Sequence, residues 1–283
     1  VKTRLGKFKK SRMNNYHLYE EIGAGKYSTV YKGRKKHTIR YVAIKSAEKC
    51  RRPKVLNEVS AMHDLEHENI LQFHSWYETR NHLWIIFEYC AGGDIAAMLK
   101  ADGKLQEHEW LAFAQQICNG LQHIHSKGMI YADLKPSNIL FTEMGVLKLC
   151  DFGMAQRLDE LHKIAEDGSK PLPRRGTPYY MAPELFVEGG CHSFASDLWA
   201  LGCVLHELAC GRPPFVSTTF QDLHQLILVE DVQGIEDCCE ESANLVKGLL
   251  TKDPIYRGGW KMLHESLAWK LVLEMDDALE TLD

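Results

Sequence analysis

The sequence predicts an α+β protein in two lobes, a small, mostly β N-terminal lobe with one helix and a larger, mostly α C-terminal lobe. Three observations predict it. Residues 16–48 run in short bursts of β-branched and aromatic residues separated by glycine, as antiparallel strands do. Beyond Gly93 the apolar spacing changes to a helical period. Between the two regimes lies Cys90-Ala91-Gly92-Gly93, where glycine lets the chain bend between packed bodies at little steric cost.

The elements follow in order. Strands are expected over Tyr16–Ile22, Ser28–Gly33 and Arg40–Ala47, then a helix over Lys54–Leu65 with Val55, Val59 and Met62 at helical spacing. Two more strands, Ile70–Tyr77 and Leu83–Tyr89, flank a turn at Thr79–His82. In the second lobe, Trp110–His125 places Leu111, Ala114, Ile117, Cys118, Leu121 and Ile124 on one face, with Gly128 as its stop. Ser196–Leu208 is apolar on most sides, which belongs inside a core, and Ala243–Leu250 and Trp260–Trp269 read as further helices.

With 283 residues, 45% hydrophobic and 25% charged, the chain has enough material for one large core or two modest ones. No stretch approaches 18 consecutive apolar residues, so no membrane span is expected. The nine cysteines show no C-x-x-C pair and one vicinal pair, Cys238–Cys239. They are expected to be free thiols in a reducing compartment. Residues 1–12 hold six basic groups and no acid. They are read as a basic arm or an appended tag, disordered rather than a nucleic-acid contact, with Met13 as the natural start.

The motifs carry the chemistry. Gly23-Ala24-Gly25-Lys26-Tyr27-Ser28-Thr29-Val30 has the form G-x-G-x-x-S-x-V, a glycine turn whose backbone N–H groups can approach phosphate oxygens. A Walker A loop is excluded, because Glu20 stands where it needs glycine and Tyr27 where it needs Ser or Thr. A Rossmann turn is excluded because Val30 and Tyr31 continue a strand. Lys45 ends the strand Val42-Ala43-Ile44-Lys45. It is either an edge lysine with a packed stem or a phosphate-bridging lysine held by a helix carboxylate, for which Glu58 is favoured over Glu66. The loop Tyr131-Ala132-Asp133-Leu134-Lys135-Pro136-Ser137-Asn138 supplies a carboxylate, an ammonium and an amide. Phosphoryl transfer needs those three: a group to orient the attacking hydroxyl, a cation at the γ-phosphate and an oxygen ligand for metal. Asp151-Phe152-Gly153 adds a second hard ligand for Mg²⁺. Glu184 and Arg257 are complementary charges that could pair in the interior, and Asp197 could anchor the catalytic loop from its helix.

These motifs, in this order and with Ala182-Pro183-Glu184 following, resemble the protein kinase superfamily over residues 16 to about 270. The Y-x-D-L-K-P-S-N loop and H-S-F-A-S-D-L-W resemble the Fused and unc-51-like serine/threonine branch, particularly its RUNKEL-type members. The resemblance implies a kinase N-lobe and hinge over 13–90, a C-lobe over 91–283, and ATP and Mg²⁺ as cofactors. It implies transfer to Ser or Thr hydroxyls of a protein substrate, with scaffold or cytoskeletal partners and a cytoplasmic, microtubule- or cilium-associated location. It also implies that Asp133, Lys135, Lys45 and Glu58 are catalytic and that Asn138 and Asp151 hold the metal. Nucleotide would lie against Ile22, Gly23, Ala24, Gly25, Lys26 and Val30. Ala43 and Leu140 would sandwich adenine, which would bond Glu88 C=O and Cys90 N–H, behind Phe87; Asp94 would meet the ribose. Met62, Phe73, Tyr131 and Phe152 match a side-chain stack joining the lobes, and Cys90 and Cys150 would face the pocket. Three positions depart from the family pattern: Ser28 for the third glycine, Tyr131 for histidine and Ala132 for arginine. They keep an ATP-binding pseudokinase scaffold as the alternative. Without an arginine at 132 to receive a phosphate, the segment 151–184 is expected to be held by packing around Pro171, Pro173 and Tyr179.

Overall fold

A computed structural model describes residues 15–25, 27–161 and 176–266. Its N-terminal part is one antiparallel sheet built from β1 (Tyr16–Gly25), β2 (Ser28–Lys35), β3 (Tyr41–Glu48), β4 (Phe73–Glu78) and β5 (His82–Glu88), in the order β1-β2-β3-β5-β4. Register sets the roof of the cleft: Val30 lies opposite Lys45 and Ala43 opposite Phe87. The helix α1 (Arg52–His63) packs on this sheet, burying Val55, Val59 and Met62. It starts two residues before its expected start because Pro53 occupies its first turn, where a missing N–H costs nothing. Glu66 consequently falls outside the helix, while Glu58 is buried within it.

The bend after β5 uses both glycines. Gly93 has φ +77°, and a Cβ on Gly92 would sit 2.6 Å from Phe141 Cβ. The rest is mostly helical: α2 (Ile95–Asp102), α3 (Glu107–Ser126), α4 (Phe194–Cys210), α5 (Phe220–Val229), α6 (Glu240–Leu249) and α7 (Trp260–Glu265). Beyond Ser266 the expected Trp260–Trp269 helix lies outside the described residues. Two elements were not anticipated, α2 and α5. Each is announced only by a cap, Asp94 accepting from Ala97 N at 2.8 Å and Thr219 from Asp222 N at 3.1 Å. The pairs β6 (Met129–Ile130) with β9 (Gln156–Arg157) and β7 (Ile139–Phe141) with β8 (Leu147–Leu149) are likewise too short to show alternation.

One apolar cluster runs through both parts. It joins Val59 and Met62 of α1 to Ile117 and Leu121 of α3, Trp199 and Leu205 of α4, and Phe152. The complementary charges do pair. Arg257, its side chain fully buried, donates to both carboxylate oxygens of Glu184 at 2.7 and 2.8 Å and to the carbonyls of Ala195, Thr251 and Lys252. Removing one partner of such a pair leaves an uncompensated buried charge. Arg257→Leu is therefore expected to lose ~3–5 kcal/mol of stability, read as a lowered midpoint in chemical denaturation.

Candidate active site

The sheet and the helical part enclose a cleft of about 650 Å³, within the range of small-molecule sites. Its wall gathers residues from distant parts of the chain: Ile22, Gly23, Ala24, Gly25 and Val30 from the first hairpin, Ala43 and Lys45 from β3, and Glu58 from α1. Phe87 and Glu88 come from the end of β5, Cys90 and Asp94 from the connection that follows, and Leu140, Cys150 and Asp151 from the opposite side. Lys26, expected among them, lies outside the described residues. Ser28, Leu71, Tyr89 and Ser137 also line the cleft and were not among the nucleotide contacts expected from sequence. Asp94 has one oxygen committed to the α2 cap.

At one end, Lys45 Nζ lies 2.7 Å from Glu58 Oε1 and 3.3 Å from Asp151 Oδ1. Burial works against the charge on Lys45, but the Glu58 and Asp151 carboxylates outweigh it and hold its pKa above the ordinary lysine value. Burial likewise opposes ionisation of Asp151, yet the charge and hydrogen bond of Lys45 and the Gly153 N–H keep its carboxyl below the usual range. Both groups stay charged across neutral pH. Asp151 has a half-exposed side chain and a left-handed backbone, φ 55°. The edge-lysine reading of Lys45 is set aside, since its head is an ion-pair junction rather than solvated.

The loop that borders the cleft through Ser137 carries a second cluster, outside the cleft lining: Lys135 Nζ donates to Asp133 Oδ2 at 2.8 Å and to Thr177 Oγ1 at 2.9 Å, and Thr177 Oγ1 donates to Asp133 Oδ1 at 3.2 Å. Asn138 Nδ2 donates to the backbone carbonyl and to Oδ2 of Asp133 at 2.8 and 3.0 Å. With its NH₂ half so engaged, Asn138 has its carbonyl oxygen available as a ligand. The carboxylate of Asp151 and the amide oxygen of Asn138 form a hard-oxygen donor set. Mg²⁺ takes one or two protein oxygens and completes its shell with water and phosphate, so these residues fit it.

The loop carrying Asp133 hangs from α4, as expected for Asp197. That carboxylate, 1% exposed as a residue, accepts from Tyr131 N and Ala132 N, each at 2.8 Å. Trp260 Nε1 donates to His125 Nδ1 at 3.2 Å, which leaves the proton on His125 Nε2 to donate to Asp197 at 2.8 Å. The anchoring compensates a left-handed Ala132, φ 66°, a conformation unusual for a residue other than glycine. The Tyr131 ring packs at a tilt against Phe152, centroids 5.1 Å apart, and its hydroxyl donates to Cys150 C=O. Met62, Phe73, Tyr131 and Phe152 all belong to the one core cluster or pack against it. Pro171 and Pro173 lie outside the described residues; Tyr179 donates to Ser217 C=O and Tyr180 to Glu207. Two struts had no sequence signal: Asn57 Nδ2 donates to Ala155 C=O at 3.2 Å, and Arg157 pairs with Asp64 at 2.5 Å.

A cleft lined by the Lys45–Glu58 pair and Asp151, bordered by the loop that sets Asp133 beside Lys135, fits phosphoryl transfer. The chain belongs to the protein kinase family, matching the protein kinase domain over residues 16–267. It is 52% identical over 259 residues to serine/threonine-protein kinase RUNKEL of Arabidopsis thaliana, covering 91% of this chain and 19% of that relative. It is 39% identical over 290 residues to mouse (Mus musculus) serine/threonine-protein kinase ULK4, covering 94% of this chain and 22% of the relative. With Xenopus laevis serine/threonine-protein kinase ULK3 it shares 34% identity over 254 residues, 86% of this chain and 53% of the relative. Similarity to these relatives accords with the resemblance to the Fused and unc-51-like branch. The chain spans about a fifth of the length of the first two.

The two cleft cysteines lie where the resemblance put them, but burial suppresses their thiolates. It pushes Cys90 up to about 12, with Glu88 adding to the effect, and Cys150 well above the usual thiol range. The thiolate is the nucleophile. Iodoacetamide at pH 7.5 should label both at least tenfold more slowly than a free thiol of pKa ~8.5. The rate should rise about tenfold per pH unit, as read by mass spectrometry.

Proposed function

We propose that this chain is an active serine/threonine kinase domain that transfers the γ-phosphoryl group of ATP to hydroxyls of a protein substrate. The observation that carries the reading is the Asp133–Lys135–Thr177 cluster, set in the same fold as the Lys45–Glu58–Asp151 junction. Asp133 orients the acceptor hydroxyl and receives its proton. Lys135 turns from Asp133 and Thr177 toward the γ-phosphate when nucleotide is present. Thr177 contributes to the acceptor-binding surface. Lys45, held by Glu58, bridges the α- and β-phosphates, and the glycine turn at Gly23–Gly25 with Lys26 covers them. Adenine lies between Ile22, Val30, Ala43 and Leu140, bonded to Glu88 C=O and Cys90 N–H, with Asp94 at the ribose. Asn138 and Asp151 hold Mg²⁺, which when bound neutralises charge developing on the phosphates.

Every polar group this chemistry calls for is present, which favours the enzyme over the ATP-binding pseudokinase scaffold. Ala132 and Tyr131 replace a regulatory contact and a packing contact, not a catalytic group. With no guanidinium at 132, the domain works without a phosphate on the segment 151–184. The serine/threonine preference follows the names of the relatives and the Lys135–Thr177 pair. Residues 13–90 form the N-lobe and hinge and 91–283 the C-lobe, with the Gly92–Gly93 bend beside their junction. Among the described residues no helix is long and apolar enough to cross a membrane. A cytoplasmic site with cytoskeletal or scaffold partners accords with the resemblance.

Asp133→Asn should abolish transfer to a degenerate Ser/Thr peptide library while ATP affinity stays within about threefold, because the carboxylate acts on the acceptor. Asp151→Asn should instead remove the Mg²⁺-dependent gain in ATP affinity. Substantial turnover by purified Asp133→Asn protein, or a wild type whose ATP binding ignores Mg²⁺, contradicts the assignment.

A further inference from the structure

The tip of the glycine turn is held from outside the cleft. Gly23, Ala24, Gly25 and Ser28 line the cavity, whereas Tyr27 is not part of its wall. The Tyr27 ring instead receives the guanidinium of Arg51, whose Cζ lies 3.5 Å from the ring centroid. Arg51 stands directly before α1, at the end of the short 3₁₀ turn Lys49–Arg51. The same stretch of chain gives a second tie, Glu48 N donating to Tyr27 C=O at 3.4 Å. The neighbouring cations are engaged elsewhere, since Lys49 and Arg52 both pair with Glu78. Arg51 pairs with no carboxylate among the described residues, and it is the cation laid on the ring.

Little else fixes this tip. Pairing of β1 with β2 ends at Gly25 and Ser28, and glycine leaves the backbone free to bend. A guanidinium over an aromatic face is attracted by the ring quadrupole, which needs the ring and not the hydroxyl. Tyr27 is 40% exposed, so the stack opens and closes without unpacking a core. Such a contact suits a latch.

We propose that Tyr27 and Arg51 are positioning residues for the nucleotide, their stack clasping the glycine turn to the entrance of α1 so that it stays closed over bound phosphates. The inference rests on the phosphate-covering role proposed above for Gly23–Gly25. The clasp also links the turn to the helix that carries Glu58. Closure over nucleotide and seating of the Lys45–Glu58 pair therefore favour each other.

The test follows release of a fluorescent N-methylanthraniloyl ATP, with Mg²⁺, from the 283-residue protein by stopped flow. Tyr27→Ala should speed dissociation about threefold, the scale of a partly exposed cation–π contact. Arg51→Met, which keeps an apolar stem but not the charge, should do the same. Association should hold within about twofold, because changes at one site fall mostly on dissociation. The double variant should be no worse than the poorer single one. Tyr27→Phe keeps the ring and should match wild type. The KM for ATP should rise in the two disruptive variants while the KM for acceptor peptide holds. Hydrogen–deuterium exchange without nucleotide should quicken over residues 23–28 and stay unchanged over 52–63. Wild-type dissociation in both single variants overturns the clasp. So do losses that multiply in the double variant, a loss in Tyr27→Phe, or faster exchange across α1, which would mark a general weakening of the fold. A wild type that binds no ATP analogue contradicts the kinase reading itself, a result distinguishable from binding that ignores both substitutions.

Discussion

The arrangement depends on one cation shared by two carboxylates. Lys45 belongs to the sheet, Glu58 to α1 and Asp151 to the segment below the cleft, so a single ammonium ties together three parts of the fold. Two carboxylates brought this close without it would repel, and burial would neutralise at least one. With it, Asp151 stays ionised and α1 is tied to the sheet. Glu58 is buried and Lys45 largely so, which makes their pair costly to break, since removal of one partner strands the other.

A second anchor serves the acceptor side. From the first turn of α4, Asp197 gathers the N–H groups of Tyr131 and Ala132 in the loop and the ring of His125 on α3, all buried. Those bonds offset the strain of a left-handed Ala132 and fix the start of the loop that presents Asp133. The Lys45 junction and the Asp197 anchor meet through Tyr131 and Cys150, whose hydrogen bond runs from one to the edge of the other. The two clusters are therefore linked by short bonds through Tyr131 and Cys150.

Much of this was legible in the sequence where chemistry has a fixed spacing. The glycine turn, Val42–Lys45, Asp133–Asn138 and Asp151–Gly153 could be read in order because each motif is local. Glu58 could be preferred to Glu66 on helical position alone, and the fold bears that preference out. Asp197 as an anchor and Glu184 with Arg257 were legible as complementary charges. What stayed hidden depends on side-chain direction across long separations. Neither Asn57 reaching Ala155 nor Arg157 reaching Asp64 has a local signature, and the Tyr131 hydroxyl looked like a packing substitution. The helix α2 was missed because Asp94 reads equally as a ribose contact and as a cap. Cys90 and Cys150 were placed well, but their suppressed thiolates are a property of burial that no motif encodes.

The central claim is that Lys45 and Glu58 act as one unit, and a double-mutant cycle tests it directly. Catalytic efficiency toward ATP would be measured for wild type, Lys45→Met, Glu58→Gln and the double variant. The account predicts that the double variant is little worse than Lys45→Met alone, a coupling of at least tenfold, ~1.4 kcal/mol. Losses that multiply independently, with no coupling between the two sites, would contradict it.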